Sequence, residues 1–326
     1  MRVTGFGDFL IHFSPLEYDR FYQSDLIKMS FTGAEANVCC ALSFWGEKVN
    51  FVTAIPQNIL AQKGVMFLNS FKVNTDFIIT KEGRMGTYYL EKGCSLRPSQ
   101  VVYDRENTVF TQNDFYSYHW EQIFKNTDIF YLSGITPSLS ETLLDCSKKV
   151  LAEAKKRKIP VFFDLNLRSK ICGIEKSREI FDALKPYITH LIANEEHLKQ
   201  LLLLESAPLN LFSKKVKELT GIENIIITVR RTPTASKAKV FASYFGNDDF
   251  AVSNEYNIDV VDRVGSGDAF SAGVVYSFIK NYSLQKSIDF SMASGALKHT
   301  INNDINFSTV DEIKGLTETT GCDVDR

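Results

Sequence analysis

The sequence has no long apolar run and no block of basic residues. Because no stretch reaches the ~18 apolar residues of a membrane-spanning helix, we expect no membrane partner. The net charge is −2, and lysine and arginine are spread along the chain, which argues against a nucleic-acid-binding surface. The start of the chain also lacks the apolar segment of a signal peptide. These absences predict a cytoplasmic protein that acts on small molecules.

The cysteines lack the paired spacing of a metal site. The adjacent pair Cys39 and Cys40 lies in a helical pattern, where two thiols serve as small packing residues. We therefore expect reduced cysteines without a structural metal. The full set is Cys39, Cys40, Cys94, Cys146, Cys172 and Cys322.

The chain is long and apolar enough for one large domain with a small appendage, or for two domains. It has 326 residues, and 44% of them are hydrophobic. Strand patterns alternate with helical patterns, which predicts an α/β fold with a mostly parallel sheet covered on both faces. Ligands bind such sheets beyond the carboxyl ends of the strands. The predicted strands cover residues 3–7, 50–55, 128–132, 160–164, 188–193, 224–229 and 240–244.

A turn-rich segment interrupts this alternation at residues 75–111. It contains short β-like runs at 77–79, 87–90 and 101–103, separated by glycine and proline. Residues 9–13 are also β-like. We interpret these runs as a second, small sheet that projects from the main body.

Two glycines stand where a predicted strand becomes a helix, in the string Gly265-Ser266-Gly267-Asp268. Glycine lets a backbone approach a ligand closely, and the first turn of a helix offers unpaired N–H groups to an anion. A carboxylate beside such a loop is repulsive unless it has a task, such as accepting a proton from an attacking hydroxyl. Taken alone, the same string also fits an ordinary helix start with a serine cap.

The longer string Asp-x-Val-Gly-Ser-Gly-Asp-Ala-Phe, late in the chain, resembles the C-terminal signature of the ribokinase-like (PfkB) carbohydrate kinases. It is not a P-loop, since no Gly-Lys-Ser/Thr follows. The resemblance implies a Rossmann-type α/β/α three-layer sandwich, with a small β-sheet lid formed by about residues 9–15 and 75–111. The whole chain, 1–326, would then be a single kinase domain. Asp268 would be the catalytic base, and the N–H groups of Gly265, Ser266 and Gly267 would stabilise the transferring phosphoryl group.

Three strings resemble the 2-keto-3-deoxygluconate kinase branch of that family: Gly-Ala-Glu-x-Asn before residue 38, Tyr-Asp-Arg at 103–105, and Asp-Leu-Asn-x-Arg at 164–168. A neutral sugar does not need a second cation, whereas two guanidinium groups can hold a carboxylate. The resemblance therefore implies a sugar acid as substrate. The implied substrate-binding residues are Gly33, Asn37, Tyr89, Tyr103, Arg105, Arg168, Asp268 and Asp304.

The resemblance also implies a site for ATP and Mg²⁺. The family's late Lys-His-Thr-x-x-Gly-Asp segment is matched at residues 298–304, with Asn303 in place of glycine; asparagine also adopts positive φ. The implied nucleotide-binding residues are Asn166, Arg168, Asn194, Thr228, Arg230, Gly265, Ser266, Gly267 and Asn303.

The metal position departs from the family pattern. The family shows Asn-x-x-Glu, whereas this chain has Asn194 followed by His197 at the fourth position. Glu195 or Glu196 would organise Mg²⁺ through water, or else both only favour the first turn of a helix.

We therefore expect an ATP-dependent kinase that forms the 6-phosphate of 2-keto-3-deoxygluconate, acts on small molecules alone and assembles as a homo-oligomer. One alternative keeps the chemistry and changes the substrate to fructose or another neutral sugar. A second alternative is a non-catalytic sugar-binding regulator, against which the retained Asp268 and signature glycines argue.

Overall fold

The computed structural model describes residues 1–166 and 169–318. Its strands are β1 (Arg2–Phe6), β2 (Leu10–Pro15), β3 (Ile27–Thr32), β4 (Lys48–Pro56), β5 (Ile78–Lys81), β6 (Gly86–Glu91), β7 (Gln100–Asp104), β8 (Ile129–Ser133), β9 (Val161–Asp164), β10 (His190–Asn194), β11 (Asn224–Thr234), β12 (Lys237–Gly246), β13 (Asp249–Val252) and β14 (Tyr256–Asp259). Its α-helices are α1 (Ala34–Phe44), α2 (Ile59–Ser70), α3 (Trp120–Lys125), α4 (Ile135–Ser138), α5 (Glu141–Lys156), α6 (Ser169–Leu184), α7 (Glu195–Leu202), α8 (Leu209–Thr220), α9 (Ser266–Ile279), α10 (Leu284–Lys298) and α11 (Val310–Glu318).

The large sheet has the strand order β13-β12-β11-β10-β9-β8-β1-β4-β5, and β14 pairs with β12. Every pair from β5 across to β11 is parallel, and β12, β13 and β14 add antiparallel strands at one edge. The carboxyl ends of the central strands therefore lie at one edge of the sheet. The register places Ser133 opposite Asp164 and Asn194 opposite Thr228 at that edge.

Two apolar cores cover the two faces of this sheet. In the central strands, successive side chains alternate between them, because strand residues point to opposite faces. Tyr131 and Phe162 belong to the core that contains α1, α9 and α10, whereas Phe130 and Phe163 belong to the core that contains α5, α6 and α8. The predicted ribokinase-like α/β fold with a mostly parallel sheet is confirmed.

The small sheet has the order β3-β2-β6-β7, with β2 and β6 parallel and the outer pairs antiparallel. The prediction that residues 77–79 belong to it is wrong, because Ile78–Lys81 pairs with β4 and extends the large sheet. The physical reason is burial: Ile78 packs against one core of the large sheet, and Ile79 packs against the other. The small sheet instead gains β3, for which the sequence patterns predicted no strand.

None of the helices in the described ranges has the length and apolar character of a membrane span. The five cysteines of those ranges are free thiols, and Cys322 lies outside the described residues. Burial raises the pKa of the Cys40 thiol well above its ordinary value, so this residue is a packing group rather than a nucleophile.

Candidate active site

A cavity of about 800 Å³ lies between the carboxyl ends of the central strands and the small sheet. The large sheet contributes Asp164, Asn194 and Thr228, and the small sheet contributes Tyr88 and Tyr103. Strand-end polar residues that are far apart in sequence are brought together because neighbouring parallel strands end at the same edge. The start of α9 lines the same cavity.

The glycine loop at the start of α9 is packed tightly on one side and open on the other. Gly265 has φ 78°, and a Cβ there would lie 1.8 Å from the carbonyl oxygen of Asp304, so only glycine fits. A Cβ on Gly267 would meet nothing within 4 Å. The Ser266 N–H already donates to the carbonyl of Arg263 at 3.3 Å. Among the described residues, Ser266 is therefore the one of the three predicted phosphoryl donors whose N–H has a hydrogen-bond partner.

Asp268 lies in the first turn of α9, and the first turn of α1 contacts it. The amide nitrogen of Asn37 donates to Oδ2 of Asp268 at 2.7 Å. Gly33, just before α1, lets this turn pack closely against the backbone that follows β1, since a Cβ there would lie 2.1 Å from the carbonyl oxygen of Asp8. An orienting amide on one carboxylate oxygen holds the side chain in place at the cavity wall.

Asp304 lies beside the glycine loop and contacts a residue of the small sheet. Its Oδ1 lies 3.2 Å from Nδ1 of His12, and both side chains are buried. Burial alone raises the pKa of Asp304, but the His12 ring and the Thr32 hydroxyl outweigh it and hold the pKa below its ordinary value. Asp304 is therefore an ionised acceptor at the cavity, which suits a sugar hydroxyl.

The inner face of the small sheet carries a cation on an aromatic stack. Tyr88 and Tyr103 stack with ring centroids 5.2 Å apart, and the guanidinium of Arg105 lies 4.2 Å from the Tyr103 centroid. The structure does not bring Tyr89 into this group: its ring stacks on Phe13, on the opposite face of the sheet. Alternation along the strand makes Tyr88 the inward residue of the pair.

A buried carboxyl group accompanies Arg105. Within the described residues, neither oxygen of Asp8 has a hydrogen-bond partner, and the same holds for the buried Nε of Arg105. Burial raises the pKa of Asp8, and the field of Arg105 opposes that rise only in part. Asp8 is therefore a buried acid beside the cation, and burial shifts its pKa upward.

The other end of the cavity holds the residues predicted to bind the nucleotide. Asn194 caps α7 by accepting from the Glu196 N–H at 3.0 Å, and its amide donates to the Thr228 carbonyl at 3.4 Å. Asn166, with φ 33°, and Arg230 also line the cavity. Arg168, predicted to bind both substrates, lies outside the described residues.

Asn303 is not among the cavity-lining residues. Its φ is 69°, in agreement with the expected turn. Its side-chain oxygen accepts from Nζ of Lys28 at 2.7 Å, so this residue contacts the small sheet.

The acidic residues near the nucleotide end fit a magnesium ion held mainly by phosphate oxygens. Lys199 lies 2.8 Å from a carboxylate oxygen of Glu195 and 2.9 Å from one of Glu196. No cluster of three metal-binding side chains occurs in the part of the chain that the structure describes. Mg²⁺ usually keeps several waters and takes one or two carboxylates, so this donor set suits contact through water and does not form a protein cage.

Several cavity-lining residues were not among the predicted site residues, including Tyr88 and His197, whereas Asp164 belongs to the string Asp-Leu-Asn-x-Arg that the resemblance singled out. Asp164 accepts from the Ser271 hydroxyl at 3.2 Å, on the α9 side of the cavity. Its signal was its place at the end of a buried strand. Only the strand register shows that Tyr88, and not Tyr89, faces the cavity.

Comparison with known proteins agrees with this geometry. The model of the pfkB family carbohydrate kinases matches residues 2–309. The chain belongs to this family. The kinase is 28% identical to a 2-dehydro-3-deoxygalactonokinase of Haloferax volcanii over 330 residues, which cover 100% of this chain and 99% of the relative.

Solved structures show the same fold. A 2-dehydro-3-deoxygluconokinase of Thermotoga maritima superposes with a TM-score of 0.94 at 32% identity, covering 98% of the kinase and 100% of that chain. A structure from E. coli, solved with ATP and Mg²⁺ under the provisional name ribokinase II, superposes with a TM-score of 0.84 at 17% identity, covering 97% of the kinase and 99% of that chain. At that identity the second likeness shows the fold alone.

Proposed function

We propose that this kinase transfers the γ-phosphoryl group of ATP to the 6-hydroxyl of 2-keto-3-deoxygluconate or of its galactonate-type epimer. The observation that carries the proposal is the guanidinium of Arg105, which lines the cavity over the Tyr103 ring with a buried Nε lacking a partner in the described chain. The names of the Haloferax and Thermotoga relatives support the same substrate class.

A sugar acid needs a cation at the end of the cavity that covers its carboxylate. An ionised carboxylate that leaves water without a partner is very costly, and a guanidinium can meet it through two hydrogen bonds. Arg105 directly follows β7 of the small sheet, and its guanidinium lines the cavity. A neutral hexose such as fructose would offer the Arg105 guanidinium no anionic partner, and this supports the acid as the proposed substrate.

Asp268 acts as the base in this proposal. Its carboxylate is oriented by Asn37 at 2.7 Å and stands in the first turn of the helix whose N-terminus meets the phosphoryl group. A carboxylate is a far weaker base than an alkoxide, so it accepts the proton only as the oxygen–phosphorus bond forms. The N–H groups of Gly265 and Gly267 stabilise the charge of the transferring group.

ATP lies, in this proposal, along Asn166, Asn194, Thr228 and Arg230. Magnesium bound to the phosphates neutralises their charge, and Glu196, with a side chain 64% exposed beside the cavity, holds one of its waters. The chain acts as a single domain in which the small sheet is a lid over the sugar. Its inner tyrosines keep water away from the transferring phosphoryl group.

The test is an assay of ADP release on 2-keto-3-deoxygluconate, its galactonate epimer, fructose, and the analogue in which the carboxylate is reduced to an alcohol. Arg105→Ala should weaken transition-state binding of the acid by about 2–5 kcal/mol, the range for removing one partner of a buried charge pair. The reduced analogue should lose far less.

Arg84→Ala is the matched control. This guanidinium lies between β5 and β6, forms an ion pair with Asp104 and is 41% exposed. It should behave like wild type on both sugars. Equal losses for Arg105→Ala on acid and alcohol would mean that Arg105 only shapes the lid. Wild-type preference for fructose would replace the keto-acid proposal with a neutral-sugar kinase.

A further inference from the structure

Asp262, which precedes the glycine loop, connects that loop to the turn that carries Asp304. Its side chain is buried. Oδ1 accepts from the Val264 N–H at 3.1 Å, and Oδ2 accepts from the Asn303 N–H at 3.2 Å. In addition, Nζ of the fully buried Lys298 lies 3.4 Å from the Asp262 carbonyl oxygen. The position of this one carboxylate therefore sets the spacing between two walls of the cavity.

The small sheet reaches the same carboxylate through Lys92, the residue that follows β6. Its Nζ lies 2.9 Å from Oδ2 of Asp262 and donates to Oδ1 of Asn302 at 2.7 Å. The two charged side chains are 14% and 2% exposed, so water and salt screen this pair less than they screen a surface ion pair. A charge-assisted bond of this kind is short and directional.

We propose that Lys92 is a positioning residue that aligns the phosphoryl-binding loop when the small sheet lies over the cavity. Val264, bonded to Asp262, directly precedes Gly265, and the backbone of Gly265 is packed against the Asp304 carbonyl without room for a methyl group. A shift of Asp262 is therefore passed to the loop and is not absorbed. This inference rests on the proposed role of residues 265–267 in phosphoryl transfer.

The consequence is that the position of the small sheet over the sugar is coupled to phosphoryl transfer. Lys92 directly follows β6 of the small sheet, and Asp262 lies between β14 and α9 of the main body, so their contact exists only while the small sheet is in place. Without it, the loop N–H groups are less well aligned with the transferring group, and a misplacement of about 1 Å can cost ~10² in rate. The phosphoryl group of ATP is thereby transferred to the sugar in preference to water.

Lys92→Met tests the link, with Lys28→Met as a matched control. Both lysines are on the small sheet and reach the same turn, but Lys28 contacts the amide oxygen of Asn303 and has no ion pair with a carboxylate among the described residues. Lys92→Met should lower kcat by about 10- to 100-fold and change KM for sugar and ATP by less than about 3-fold. Lys28→Met should stay within about 3-fold of wild-type kcat. Equal losses in kcat would show that both lysines only tether the sheet, and would overturn the proposal.

A double-mutant cycle with Asp262→Asn measures whether the two losses in kcat are coupled, which a purely structural role of Lys92 does not predict. The asparagine oxygen still accepts from Val264, whereas its NH₂ group cannot accept from Asn303, so melting temperatures check that the loop still folds. In the Asp262→Asn background, adding Lys92→Met should lower kcat by little more than Asp262→Asn alone does. In the wild-type background, Lys92→Arg should keep most of the wild-type kcat. Full additivity of the two losses, or no recovery with arginine, would refute the link.

The readout is kcat on whichever sugar the wild type accepts, so a wrong sugar assignment leaves this test intact. Asp268→Asn is measured alongside. If that variant stays active while Lys92→Met loses rate, the proposed base is wrong and the link stands.

Discussion

Replacing Glu35 by glutamine should change the pH dependence of stability in a way that only a buried carboxyl group explains. Glu35 lies in the first turn of α1, and its side chain contacts the end of β8. Its Oε1 accepts from the Ser133 N–H at 2.9 Å, the Ser133 hydroxyl at 2.7 Å and the Thr136 hydroxyl at 2.9 Å. A glutamine carbonyl can accept the same three bonds.

Burial raises the pKa of Glu35 to about 7, and the hydrogen bonds from Ser133 and Thr136 offset the rise only in part. Moving a pKa from 4.5 to about 7 corresponds to about 3 kcal/mol. Because the folded pKa is raised, this contribution to stability is fully present below pH 4.5 and is lost as the pH rises through 7. Glutamine carries no such loss.

Urea unfolding between pH 4 and pH 8, at about half-unit steps, measures the free energy of unfolding of both proteins. The difference, variant minus wild type, should rise by about 3 kcal/mol across the range from pH 4.5 to 8. Burial lowers the pKa of His190 to about 3 and of His299 to about 4, so both proteins lose stability as the pH falls below 6.5. Because both proteins share this effect of the histidines, it cancels in the difference. Glu121→Gln, at a residue 80% exposed, is the control. Parallel curves for Glu35→Gln and wild type would refute the reasoning.

Two further predictions concern the start of α9. Asp268→Asn should lower kcat by about 10²–10⁴ while titration calorimetry still detects sugar and ATP binding; turnover within a few-fold of wild type would exclude Asp268 as the base. Gly265→Ala should lower the melting temperature or kcat sharply, because its Cβ would meet the Asp304 carbonyl at 1.8 Å, whereas Gly267→Ala, with open space around it, should melt like wild type. Equal melting and equal kcat for Gly265→Ala and wild type would contradict the packing argument.

Much of the fold could be predicted because its signal is local. The buried strand ending at Asp164 and the strand ending at Asn194 are continuous apolar runs, and they form β9 and β10 close to the expected positions. The short strands were harder to place. Phe77–Ile79 and Thr87–Leu90 look alike as β-like runs, yet the first extends the large sheet and the second belongs to the small one. The difference depends on which core buries each run.

The candidate site divides in the same way. The string Gly265-Ser266-Gly267-Asp268 could be found from sequence because backbone freedom and a first-turn carboxylate are encoded within four residues. The contact of His12 with Asp304 could not, since His12 lies in β2 and Asp304 follows α10, far away along the chain. Tyr89 was predicted for the cavity and lies on the opposite face, because a shift of one residue along a strand reverses the direction of the side chain.

The sequence by itself determined the α/β alternation, the glycine loop and the acid in the first turn of α9, since each depends on neighbours along the chain. Only the tertiary structure decided that Arg105 has Asp8 beside it at the cavity, and that Lys92, after β6, contacts Asp262, between β14 and α9. Such pairs depend on strand register and on how two sheets are placed. These are set by the burial of apolar side chains across the whole molecule, which no local pattern records.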